Sequence, residues 1–157
     1  MTKKMELNKR QLDLLSAAMR HARDADHLAG QHADASLDQA WHLAGFGPEC
    51  ARKACLTEDW ADKALGHDFD ESGEALLEWV VALDPHAWRY RLSGWRDELP
   101  GLAAWRPDHR YERTGTVIEA QRDVSGLVSA AMTRVTRVAA ELWADGRLKD
   151  AQSLGEE

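Results

Sequence analysis

Residues 41–57 read WHLAGFGPECARKACLT. Trp41, Ala44, Cys50, Ala51, Ala54 and Cys55 recur at helical spacing on both sides of Gly45-Phe46-Gly47-Pro48, so the stretch reads as one helix in spite of its breakers. Ser36-Leu37-Asp38-Gln39 supplies a capped start, and the pattern runs to about Cys55 or Leu56. Pro48 has no amide hydrogen for the carbonyl of Ala44, which predicts a kink or loosening near Gly45. The two glycines would let a neighbouring helix come close.

Upstream, Asn8 can cap a first helix, with Gln11 reaching back to it and Leu7 stapled onto Leu12. Leu7, Gln11, Leu14, Ala18, Ala22, Ala25 and Leu28 then recur at helical spacing up to a stop at Gly30. Downstream, Thr57 to Leu65 reads as a turn or two of helix closed by Gly66. Ser72 to Leu83 reads as a third main helix with Ala75, Leu76, Trp79, Val80 and Leu83 on its apolar face. Asp84-Pro85 is a cap followed by a first helical position, predicting a short helix over His86 to Leu92.

Ser93 to Thr114 is irregular, interrupted by Pro100-Gly101 and Pro107. Thr116 and Glu119 form a potential capping box, and Val117, Gln121, Val124, Val128, Ala131, Val135, Val138 and Leu142 follow at steps of three and four. That pattern predicts one final helix of about 30 residues, on the order of 45 Å long. No alternating strand pattern or repeat is present. The expected fold is all-α, an antiparallel bundle of four to five helices with a long C-terminal helix.

The chain has 157 residues, 44% hydrophobic and 30% charged, with a formal net charge of −7. This fits a single domain over 1–150 with a flexible tail at 151–157. The negative charge disfavours a general nucleic-acid or anionic-membrane surface, although the arginines gather after residue 88 and local patches can override it. No apolar run approaches the roughly 20 residues needed to span a bilayer, and the N-terminus is not a secretory leader, so a cytoplasmic protein without a membrane partner is expected. Cys50 and Cys55 point to different sides of a helix, which favours buried thiols over a disulfide.

The run from Trp41 to Ala54 resembles the second-helix text of HEPN domains, the higher eukaryote and prokaryote nucleotide-binding family, in which Leu-Ala-Gly-aromatic and Glu-Cys-Ala-Leu-Lys-Ala follow in a similar order. Gly66-His67-Asp68-Phe69 is similar to the Gly-His-Asp-Leu that often follows there. Trp105-Arg106-Pro107-Asp108-His109-Arg110-Tyr111 is similar to the Trp-Ser-Pro-Glu-x-Arg-Tyr of some branches. The resemblance covers residues 36–145 or so. It implies a helical bundle, commonly a homodimer, with a role in RNA cleavage, nucleotide binding or as an accessory of defence and toxin–antitoxin systems. The catalytic branches place four to six residues, a polar one first, between Arg and His, whereas here only two residues separate Arg106 from His109. The resemblance therefore implies a nucleotide- or RNA-associated protein whose catalytic pair is altered or lost. An active metal-independent ribonuclease and a non-catalytic protein–protein interaction module are the alternatives.

A metal-independent ribonuclease needs a base for the 2′-hydroxyl and a cation for the phosphorus charge, and Arg106, His109 and Tyr111 have that chemistry. The same residues can instead clamp the connection to the bundle. Trp105, Arg110 and Arg113 can hold an anion and stack a planar ligand, or Trp105 can pack in the core. His67 and Asp68 are ligand candidates from the resemblance, with a turn-capping role as the structural reading. Asp38 lies one turn before His42 and can bond it. Neither a paired Glu-x-x-His nor a Cys-x-x-Cys is present, so no metal and no other cofactor is expected, with a three-histidine bundle as the remaining alternative. Trp88 and Trp95, among Arg89, Arg91 and Arg96, are a candidate aromatic–cation surface.

Overall fold

The computed structural model describes residues 5–67 and 69–149, and every regular element among them is helical. Asp68 and the expected tail at 151–157 lie outside the described residues. Helix α1 runs Lys9–Leu28, α2 Leu37–Ala54, α3 Asp59–Leu65, α4 Glu71–Leu83, α5 Trp95–Glu98, α6 Thr116–Glu119 and α7 Val124–Ala144. Single 3-10 turns occupy Trp88–Tyr90 and Pro107–Tyr111. The architecture is the expected all-α bundle closed by a long final helix. No helix among the described residues is long and apolar enough to cross a membrane.

The start of α1 follows its sequence signature. Asn8 Oδ1 accepts from the Gln11 amide at 2.9 Å, and Gln11 Oε1 accepts from the Asn8 amide at 3.1 Å. Gln11 is fully buried and its Nε2 also donates to the Ala54 carbonyl at 3.0 Å, so one side chain closes the start of α1 and the end of α2.

Helices α1, α2 and α7 pack on one another. The contact is made of small residues on the first two, Ala18, Ala22 and Ala25 against Ala40, Ala44, Ala51 and Ala54, and of Leu127, Ala131, Val135, Val138 and Leu142 on α7. A Cβ built on Gly47 would lie 3.5 Å from both the Ala18 carbonyl oxygen and Val135 Cγ2, and 3.6 Å from Ala22 Cβ. Gly47 thus marks the point where the three helices converge. Helix α2 continues unbroken through Pro48, and Ala44, Gly45, Gly47 and Pro48 are all buried. Packing on several sides holds the helix where the missing amide hydrogen alone predicted loosening.

Three sequence expectations need correction. The final helix is two helices: α6 stops at Glu119, Gln121 takes a left-handed φ of 53°, and Asp123 caps α7 by accepting from the Gly126 amide at 2.9 Å. The Thr116–Glu119 box does not form, because the Thr116 hydroxyl donates to the Arg113 carbonyl at 2.6 Å and Glu119 binds the Arg113 guanidinium. Helix α2 supplies the anchor instead, since Asp38 accepts from the amides of Gly115 at 3.0 Å and Val117 at 3.2 Å.

The second correction concerns α4, which buries Gly73, Leu77 and Val80. Leu76, Trp79 and Leu83, expected on the core face, are 37%, 72% and 66% exposed. The third concerns Asp84, which accepts from the Thr57 amide at 2.7 Å and the His86 amide at 3.0 Å. The chain after it makes only the turn at Trp88–Tyr90, ending at Arg91 with φ 49°. Spending the carboxylate on Thr57 ties this segment to the end of α2 rather than starting a helix.

Candidate functional site

The irregular connection before α6 lies on α2, and Gly45 is what lets it sit there. A Cβ at Gly45 would fall 2.0 Å from Trp105 Cε2, so the indole rests directly on the helix backbone. Its Nε1 donates to the His42 carbonyl at 3.1 Å, and its ring meets Phe46 edge-on at 4.9 Å and Phe69 at 6.3 Å. Trp105 is fully buried and leaves no open face for a stacked ligand. The neighbour at Gly45 is therefore a loop tryptophan, not the helix that the paired glycines suggested.

Two residues further on, the Pro107–Tyr111 turn presents the expected acid–base pair. His109 Nδ1 accepts from Trp41 Nε1 at 2.9 Å and from the Arg106 amide at 3.3 Å. Two N–H groups aimed at one ring nitrogen place the imidazole proton on Nε2, which lies 3.8 Å from Glu112 Oε1. Burial first, then the charges of Arg122 and Arg106, hold His109 below the ordinary imidazole range, against the opposing pull of Glu112 and Asp108. The ring is neutral at pH 7 with its Nδ1 lone pair committed to the fold. Arg106 Nη1 donates to the carbonyls of Ala103 at 3.0 Å and Trp105 at 2.8 Å. Both residues of the pair hold the turn, which is the clamp reading of the motif.

The outward side of the same turn is different. Tyr111 is 75% exposed and the Arg110 guanidinium lies 4.7 Å from its ring centroid. Arg113 is drawn away into a two-pronged pair with Glu119 at 2.7 and 2.9 Å. Arg122 instead makes a fork-to-fork pair with Glu112, Nη1 to Oε2 at 2.6 Å and Nη2 to Oε1 at 3.0 Å, lies 5.5 Å from the Trp41 ring centroid, and lowers the Glu112 pKa through those bonds.

Phe46 is the hub that sequence reasoning passed over. His42 meets it edge-on at 4.8 Å, His21 of α1 lies at 5.8 Å and His67 at 6.2 Å. Nδ1 of His21 and of His42 are buried without a hydrogen-bond partner. Burial lowers both pKa values, reinforced by Arg20 at His21 and by Arg110 at His42. The expected Asp38–His42 bond does not form, because Asp38 is spent on α6.

His67 instead places Nδ1 2.7 Å from Glu49 Oε1, the oxygen that also takes Lys53 Nζ at 2.8 Å. His42, Phe46, Glu49 and Lys53 are spaced four, three and four apart, the one-face pattern that could have identified this ridge in the sequence. Among the described residues no group of three or more His, Cys, Asp or Glu is arranged to hold a metal ion. Burial raises both thiols, Cys50 to about 12, so neither offers a ready thiolate.

The site is thus a surface on an all-α bundle, where a clamped turn displays an arginine and a tyrosine on the side of α2 that carries His42 and Phe46. The chain matches no known family profile, no curated protein and no solved structure.

Proposed function

We propose that this is an HEPN-like binding protein for nucleotides or single-stranded RNA that has given up catalysis. The observation that carries the reading is the division of labour within one turn. Arg106 Nη1 and His109 Nδ1 are spent on backbone groups and Trp41, while Arg110 and Tyr111 stay outside and pair with one another. A 2′-hydroxyl proton needs a free lone pair near neutral pH, and the His109 Nδ1 lone pair already serves two donors. An exposed phenol ring beside a guanidinium offers a base a stacking face and a phosphate a charge. Neutral His42 adds a polar group next to Arg110.

A fluorescent single-stranded RNA and a labelled nucleoside triphosphate, each titrated against the full chain in EDTA, test this. RNA stays intact while anisotropy rises, and Arg110→Ala or Tyr111→Ala weakens binding by about 5- to 150-fold, the range of one lost stacking contact. Arg113→Ala has little effect, since Glu119 already occupies that guanidinium. Cleavage abolished by His109→Ala would restore the ribonuclease reading, and absence of binding to either probe would remove the proposal.

A further inference from the structure

Helix α4 carries three charges, Glu71, Glu74 and Glu78, and no Lys or Arg. Steps of three and four place the carboxylates on one stripe. Glu74 is engaged within the fold, by Arg52 at 2.6 Å and the Gly94 amide at 2.9 Å, whereas Glu71 and Glu78 are exposed two turns apart. Ala75 and Ala82 border that stripe, and Trp79 follows them four and three residues away with Leu76 and Leu83 beside it, all exposed. One helix thus presents an acidic flank, an alanine shelf and an apolar ridge in succession.

A groove follows the acidic side. Cavities of about 460 and 340 Å³ share Glu78 and Ser93, so they adjoin along the helix. Ala75 lines the larger and Ala82 the smaller, which ends at Trp88, itself 67% exposed. Arg91 and Arg96 line the groove from the segment that follows α4. We infer that the groove and the ridge beside it receive an amphipathic helix of a partner protein, with apolar residues laid on Ala75, Trp79 and Ala82 and with Lys or Arg turned toward Glu71 and Glu78.

Charge and shape select this occupant. Contiguous apolar side chains as exposed as Trp79 and Leu83 mark a contact surface rather than a solvated one. Alanines beside larger residues leave a trough along the helix axis, the form into which the side-chain ridge of a second helix packs. Glu71 and Glu78 lie about 10 Å apart along that axis, the separation of cations two turns apart on a helix laid alongside. The chain's net charge of −7 draws a basic segment from further out. A second copy of α4 would instead bring its own carboxylates against these, with no cation of its own to offer. The arginines come from the segment after α4, so the partner's cations belong on the α4 side. The inference goes beyond the nucleotide reading and shares no residue with it, so either can fail alone.

A phage-displayed library of random peptides of about 16 residues, selected on the full chain, tests it. Enriched peptides carry apolar residues at spacings of three and four with Lys or Arg two turns apart beside them. Synthesised and labelled, they bind the chain in fluorescence anisotropy. The double variant Glu71→Lys, Glu78→Lys weakens that binding by at least about tenfold, and the difference shrinks as salt rises. Trp79→Ala weakens it by about thirtyfold, the loss of an aromatic anchor. Arg91→Ala removes a like charge and does not weaken it. Helical circular dichroism reports that the variants remain folded, as expected for exposed residues. Failure to enrich any peptide, enriched peptides without basic residues, or binding indifferent to Trp79→Ala or to the double variant overturns the proposal. A sedimenting dimer that Trp79→Ala disperses would assign the face to a second copy and overturn it as well.

Discussion

The Trp41 indole of α2 donates its Nε1–H to His109 Nδ1 across 68 residues of sequence, at 2.9 Å. This bond closes the connection between α5 and α6 onto the buried face of α2. It gives His109, a candidate catalytic base in the sequence, an acceptor role within the fold.

Loss of the acceptor strands a buried donor. His109→Ala is expected to cost about 1–3 kcal/mol, the penalty for an unsatisfied buried polar group. His109→Asn retains an oxygen where Nδ1 stood and should lose less than His109→Gln, whose amide reaches one bond further. Urea unfolding followed by tryptophan fluorescence separates the three. Equal losses for Asn, Gln and Ala would mean that the acceptor atom is unimportant.

Gly45 and Gly47 stand two residues apart on the same helix and should respond in opposite ways to alanine. At Gly45 the new methyl would sit 2.0 Å from Trp105, and displacing a buried indole outweighs the roughly 1 kcal/mol that alanine gains in helix propensity. At Gly47 the contacts begin at 3.5 Å, so the methyl fits and Gly47→Ala is neutral or stabilising by up to about 1 kcal/mol. Thermal unfolding of the two variants gives the comparison. A Gly45→Ala protein as stable as wild type would contradict the placement of Trp105.

The long elements were legible because their signals are local. The Asn8–Gln11 box, the Ser36 cap, the Gly66 stop and the periodicity of α2 and α7 appear in the structure, as does that of α1 except that Leu15 rather than Leu14 is its buried leucine. What the sequence concealed depends on distant partners. Asp38 looks like a local mate for His42, but its carboxylate is taken by the start of α6. Trp95 looks like a surface ring among arginines, yet it is fully buried with its Nε1 bonded to the Arg91 carbonyl at 2.9 Å. The apolar residues of α4 were recognised, but periodicity cannot say which of two faces meets the core. At the site, the Trp105–Tyr111 motif was found by its text, whereas the split between inward and outward residues required coordinates.

The depressed histidines predict the pH response. For His21, His42 and His109 the folded pKa lies below the unfolded value of about 6.5, so unfolding takes up protons between the two. Stability is therefore complete above about pH 7 and declines as pH falls below about 6.5. Glu112 adds a second loss at lower pH, because its depressed pKa stabilises the fold only while the carboxylate is ionised. Urea midpoints from pH 8 to pH 5 measure this, and the double variant His21→Asn, His42→Asn should flatten the slope below 6.5. A wild-type midpoint that does not move between pH 7 and pH 5 would exclude the buried neutral imidazoles.

The break between α6 and α7 rests on one strained residue and one cap. Gln121 holds φ at 53°, a conformation that costs a non-glycine residue about 1–2 kcal/mol, while Asp123 satisfies the Gly126 amide. Gln121→Gly removes the strain but enlarges the unfolded ensemble, leaving a net gain of about 0.5–1 kcal/mol. A β-branched Gln121→Val deepens the strain and should destabilise, and Asp123→Ala should lose about 1 kcal/mol with the cap. If a continuous helix from Thr116 onward were the true state, the order would invert. Glycine would then be the damaging substitution and Asp123→Ala would be harmless, so urea unfolding of these three variants decides between a broken and an unbroken final segment.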